Sequence, residues 1–258
     1  MSFRDLHYGD QPLLLPNAWD VSSALAFYEA GYRAVGTTSF GVAATAGHPD
    51  GGRSSREPTT SLVRQLRNLP AYISADVEDG YDDDPEVVAD YVVGLGAAGI
   101  NIEDSTNEKL ISPPAHAAKV AAIKERSPEV FVNARVDTYW LNQEANVSAT
   151  LSRAEAYVQA GADGIFVPGA SEPSDLRQLT AEIPVPVNVL VVPRLSLAEL
   201  ADLGVRRVST GSLPYRAAID AAVEVAENVR DGVPPRTATA YPAMQGRLVE
   251  FDRLNKTG

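Results

Sequence analysis

The chain has no cysteine, which excludes disulfides, thiolate metal sites and a cysteine nucleophile. Basic residues are scarce: 22 Lys and Arg stand against 34 Asp and Glu, a formal charge of −12. That balance argues against nucleic acid or an anionic membrane surface as a partner. Long apolar runs are also missing. None approaches the roughly 18 residues that a membrane span needs. The opening segment MSFRDLHYGDQP has no apolar signal region, so the expected location is cytoplasmic. A glycine-rich nucleotide loop near the start is absent as well.

What is present, across 258 residues of which 45% are apolar, is a repeated alternation. A short β-branched run is followed by a few loop residues and then an amphipathic helix. PLLLP leads to Asp20 and a helix carrying Val21, Leu25 and Tyr28. AYISAD leads to a helix opened by Asp84 and Pro85, and VPVNVLV to Ser196 and Glu199 at capping-box spacing. RAVGTTS is expected to precede a long loop before TTSLVRQLRNL. About eight such βα units in one series predict a (β/α)8 TIM-type barrel rather than an open doubly wound sheet. The barrel domain is expected over 1–233, with 234–258 as a helical tail carrying Tyr241, Met244, Leu248 and Phe251 near helical spacing.

Catalytic groups of such barrels sit at the C-terminal strand ends, and residues two apart share a face. On that parity Thr38, Asp76, Glu78, Glu103, Arg135 and Asn188 point into the barrel mouth from five strands. Glu103 with Arg135 reads equally well as a buried ion pair. Asp76 and Glu78 are different, because two carboxylates on one face repel unless a cation or proton intervenes. With oxygen ligands only and no Cys or His nearby, that cation is expected to be Mg²⁺, with Mn²⁺ possible. The stretch SADVEDGYDDD crowds six acidic residues into eleven. Asp82, Asp83 and Asp84 are expected to form a solvated loop and cap, whereas Asp79 is ambiguous.

The segments LPNAWDVSSA, GTTSFGVAATAGHPD, SADVEDGY, GINIEDS, NARVDTYW, GADGIFVPG and VPVNVLV together resemble the isocitrate lyase/phosphoenolpyruvate mutase superfamily. The resemblance runs over nearly the whole chain. It implies a barrel whose C-terminal helix is exchanged between subunits of a homo-oligomer, a dimer of dimers, and a small anionic α-keto acid or its enolate held on Mg²⁺. It further implies that Thr38, Ser39 and Phe40 grip the substrate carboxylate and that Asp50 is the acid closing the HPD loop. Asp76, Glu78 and Glu103 would form the metal shell, Arg135 would meet the substrate oxygens, and Asn188 would lie near the leaving group.

Two departures narrow the chemistry. The superfamily's lyases carry K-[KR]-C-G-H in a mobile loop, whereas this chain reads STNEKLISPP, with Lys109 retained and Ile111 at the cysteine position. Gly169 stands where the methylisocitrate lyases have glutamate. Loss of CO2 from C3 of a keto acid needs no enzymic acid at cleavage, so an oxaloacetate decarboxylase-like lyase is the leading expectation. Phosphonopyruvate mutase or hydrolase chemistry and a non-catalytic keto-acid binder are the alternatives. His48 beside Asp50, and Tyr139 with Trp140 after the strand bearing Arg135, are further candidates for the mouth. STGSLPYR reads as helix capping rather than as a phosphate cradle.

Overall fold

The β-branched runs become parallel strands and the amphipathic segments become the helices around them. The computed structural model describes residues 1–257; Gly258, the end of the expected tail, lies outside the described residues. After a 3-10 turn at Arg4–Tyr8 come strands β1 (Leu13–Leu15), β2 (Asn17–Ala18), β3 (Ala34–Thr37), β4 (Tyr72–Asp76) and β5 (Gly99–Glu103). A small hairpin of β6 (Ser105–Thr106) and β7 (Lys109–Leu110) follows, then β8 (Phe131–Arg135), β9 (Gly164–Phe166), β10 (Val187–Leu190) and β11 (Arg207–Ser209). The helices are α1 (Val21–Glu29), α2 (Ser39–Thr45), α3 (Arg56–Leu66), α4 (Pro85–Leu95) and α5 (Pro113–Arg126). They continue with α6 (Val147–Gln159), α7 (Pro173–Glu182), α8 (Leu197–Asp202), α9 (Leu213–Arg230) and α10 (Tyr241–Thr257).

Nine strand segments pair in the order β1-β11-β10-β9-β8-β5-β4-β3-β2. The two ends of that series are neighbours in the chain. Proline has no N–H to give a ladder, and Pro16 splits the first strand there. β1 pairs with β11, β2 pairs with β3, and the sheet meets itself as a barrel. The open doubly wound alternative is thereby excluded.

Parity behaves as expected. Ala75, Val77, Ile100, Ile102, Val132 and Ala134 are fully buried in one cluster with Val88, Val92, Val120 and Ile123 of the helices. Each valine and isoleucine among them contributes about 1.5–3 kcal/mol by leaving water. The opposite faces are polar and fill the barrel, where Asn101 Oδ1 accepts from Asn133 Nδ2 at 2.8 Å and from Arg207 Nη2 at 3.0 Å. At the N-terminal end, Phe3 and His7 plug the opening, with the His7 ring stacked on Phe131 at 4.1 Å. Caps form where the sequence places them. Asp84 accepts from Glu86 N–H ahead of Pro85, and Ser196 with Glu199 makes a capping box.

Two elements depart from expectation. The long loop after β3 contains α2, started by Thr38 as its cap. The C-terminal helix, which the resemblance sends to a neighbouring subunit and the apolar spacing alone allows on either barrel, packs on its own. Phe251 is buried there, Arg247 pairs with Glu29 at 2.5 Å, and Asn68 donates to Asn255 at 3.0 Å. α9 meets the barrel at its start, through Tyr215 against Trp19 and Phe40, but has no buried residue and exposes Leu213, Ile219, Val223 and Val229.

Candidate active site

The C-terminal strand ends surround a cavity of about 670 Å³. Glu103 and Arg135 are register partners on β5 and β8, and Arg135 Nη1 meets Glu103 Oε2 at 2.8 Å. Asp137, two residues on and therefore on the same face, accepts from Arg135 Nε at 2.6 Å. Asp137 is fixed in turn by Ser105 Oγ, at 2.6 Å, and its own N–H donates to Asp104 Oδ1. Asp104 is fully buried and accepts from Tyr157 OH at 2.6 Å and Arg153 Nη1 at 3.1 Å. The rings of Trp140 and Phe166 lie 5.6 and 5.9 Å from the Arg135 guanidinium carbon, within cation–π range. The guanidinium is thus locked in one pose and kept charged: burial works against its charge, but Asp137 and Glu103 outweigh it.

The acidic stretch divides by role. Glu78, in the left-handed region at φ 47°, points into the cavity but is held by the preceding loop. It accepts from Arg53 N–H at 2.8 Å, from Ser55 N–H at 3.2 Å and from Ser55 Oγ at 2.5 Å. The Arg53 side chain is consumed by Asp79, at 2.7 Å, and by Asp83. Asp79, ambiguous in the sequence, is a buried anchor that also accepts from Thr106 Oγ1 at 2.7 Å. The crowding of charge is therefore partly a clamp on the Gly51–Gly52–Arg53 loop. Asp76 accepts from Ser39 N–H at 3.1 Å.

Of the expected site residues, Ser39, Asp50, Glu78, Glu103 and Arg135 line the cavity together, and Asp76 stands at the strand end beneath them. Others lie elsewhere. Thr38 caps α2, and Phe40 packs edge-on against Tyr215 at 5.9 Å. Asn188 is deeper in the barrel, exchanging hydrogen bonds with Ser209 at 3.1 and 3.3 Å, because parity fixes a face but not a depth. Lys109 is exposed on the hairpin, outside the cavity lining. That hairpin is tied down: Ile111 N–H donates to Asp104 O and Ile111 O accepts from Arg153, while Gln143 bridges Leu110 and Glu108. Trp140, a candidate for the mouth, lines the cavity, whereas Arg53 and Ser55 were not singled out from the sequence. Asp137 shares parity with Arg135 in NARVD, and that signal was available.

Like charges shape the protonation of this floor. Burial pushes the Glu103 carboxyl well up; Arg135 opposes the rise, and Asp137, Asp76 and Glu78 add to it. Burial also raises Glu78 against the donors of Ser55 and Arg53, and it raises Asp50 with help from the Asp76 charge. Among the described residues no three acidic side chains converge tightly enough to hold a bare metal ion. One oxygen each of Asp76 and Glu103 is engaged by protein donors. The remaining carboxylate oxygens, with mutual repulsion unrelieved, suit a hard cation that keeps part of its water shell.

The family described as phosphoenolpyruvate phosphomutase matches residues 3–230. An uncharacterised protein of Mycobacterium tuberculosis is 54% identical over the whole of both chains. The 2-methylisocitrate lyase of Bacillus subtilis is 28% identical, over 85% of this chain and 77% of its own. A phosphonopyruvate hydrolase solved with oxalate and Mg²⁺ superposes with a TM-score of 0.83 at 22% identity, over 100% of this chain and 97% of its own.

Proposed function

The chain belongs to the phosphoenolpyruvate phosphomutase family, and from that premise we propose that it cleaves a bond at C3 of a small α-keto acid, with oxaloacetate decarboxylation as the reaction. The observation that carries this reading is the placing of the cavity's two arginines. Arg135 stands at the strand ends with Nη1 on Glu103 and Nε on Asp137, whereas Arg53 is turned to Asp79 and Asp83. One end of a keto acid can therefore be gripped, while its C3 carboxylate meets an acidic wall with no partner. Such a group departs most readily as neutral CO2.

Asp76, Glu78 and Glu103 would hold Mg²⁺, in part through water, and the ion when bound would act as a Lewis acid on the C2 carbonyl. Arg135, held by Glu103 and Asp137, offsets the negative charge that develops on the keto oxygen as the C3–C4 electron pair moves into the enolate. The chain has no thiol and the Ile111 backbone is pinned by Asp104 and Arg153, so the cysteine acid that the superfamily's lyases use on a larger leaving group has no counterpart in this loop. Water supplies the proton that converts the enolate to pyruvate. We also infer a homo-oligomer in which a second copy covers the apolar face of α9.

The test is pyruvate release from oxaloacetate with Mg²⁺, corrected for decay caused by the metal alone. Asp76→Asn is the better control, because Glu78 also clamps the loop at 53–55. Turnover is expected to fall about 100-fold or more in the variant and to vanish on chelation. A rate no greater than metal-only decay in the wild type rejects decarboxylation. Phosphonopyruvate turnover, or tight oxalate binding without product, would then identify the alternative.

A further inference from the structure

Arg207 stands on β11 with its side chain inside the barrel at 1% exposure. In the strand order β11 lies far from β4 and β5, and the side chain crosses the interior to reach them. Nη2 donates to Asn101 Oδ1 at 3.0 Å and to Ser74 Oγ at 3.4 Å, and Nε donates to Ser209 Oγ at 3.3 Å. All three partners are neutral, and Nη1 has none. A guanidinium sealed away without a carboxylate is costly to keep. Burial draws its pKa down to about 9, with only the charge of Asp76 working in its favour, so it remains protonated at neutral pH.

The position of this charge follows from the pleat. Ser74 is two residues before Asp76, and Asn101 is two residues before Glu103, so each pair points to the same inward face. One such repeat rises about 6.6 Å. The guanidinium is thus anchored one layer beneath the two acids of the cavity floor.

We propose that Arg207 is a positioning residue: a fixed positive charge under the floor that strengthens the hold on an anion in the cavity and limits how tightly the acids hold a cation. The proposal rests on the reading of the cavity as a site for a divalent cation and an anion. It gives an acidic protein a second, indirect source of positive potential beneath Arg135. A unit charge at that separation, in a partly hydrated interior, changes affinity on the order of ten-fold.

The experiment titrates Mn²⁺ into the full chain by calorimetry, then oxalate into the Mn²⁺-saturated protein, for wild type, Arg207→Gln and Arg207→Lys. Arg207→Gln is expected to bind Mn²⁺ about ten-fold more tightly and oxalate about ten-fold more weakly, with Arg207→Lys close to wild type. A structural role would weaken both ligands together, and that result, or no change in either, overturns the proposal. Wild type that binds neither ligand overturns the reading of the cavity and this inference with it. Normal wild-type binding with an unmoved Arg207→Gln overturns the role of Arg207 alone. If Arg207→Gln does not fold, Asn101→Asp supplies the missing counter-ion in place. It should raise the melting temperature and shift the two affinities in the same opposite directions, and a lowered melting temperature overturns the proposal.

Discussion

His116 on α5 is fully buried, and neither ring nitrogen has a hydrogen-bond partner. Its ring meets Tyr157 edge-on at 4.5 Å. Burial draws its pKa down to about 3, and the charges of Lys119 and Arg153 press in the same direction while Asp79 opposes them. The unfolded chain therefore binds a proton near 6.5 that the folded chain refuses. A depressed histidine leaves stability intact above the unfolded value and removes it as pH falls toward the folded one. The linkage amounts to about 1.4 kcal/mol per pH unit below 6.5, or about 2 kcal/mol between pH 7 and pH 5. Replacing His116 by Leu, of similar volume, removes that proton and two unsatisfied nitrogens together. The expected result is a variant at least as stable as wild type at pH 7, whose advantage grows by about 2 kcal/mol at pH 5. Urea unfolding of both proteins across this range reads the difference directly, and the raised carboxyls of the cavity cancel because both chains carry them. Parallel stability curves would refute the assignment of His116 as a neutral buried ring.

Two further outcomes follow from the fold. Gly169 has φ 86°, and a Cβ there would lie 3.1 Å from Trp140 N and from Tyr139 C. Gly169→Glu should therefore cost about 1–3 kcal/mol and yield no methylisocitrate cleavage, measured by thermal melting and by pyruvate release. If α9 is covered by a second copy, Val223→Asp should shift the sedimentation coefficient to a smaller species; an unchanged wild-type coefficient at the monomer value would remove the premise.

The strand ends were legible because a barrel converts alternation into direction, and Glu103, Arg135 and Glu78 all reached the cavity from that rule. Depth was not legible, so Asn188 was expected at the mouth and is found beside Ser209. The role of Asp79 was hidden because its partner, Arg53, comes from a loop 26 residues earlier, and no periodicity records such a pairing. Lys109 kept a familiar position in the sequence, but Arg153, which anchors its hairpin together with Asp104, lies on the distant α6. The tail's apolar spacing announced a docking helix and was silent on its destination. Phe251 entering the core of its own chain is a tertiary outcome that local pattern does not encode.

The divided first strand also governs the order in which the molecule is made. Residues at its far side, Thr210 and Gly211, bond Asn17 across 193 and 194 positions of chain. Ring closure is a long-range event with a large loop to close. A nascent chain thus carries its clasp from the start but has nothing to fasten it to until the last strand emerges. Until then β1 is an unpaired sheet edge, and the interval before closure is when the protein is most exposed to pairing with another copy of itself.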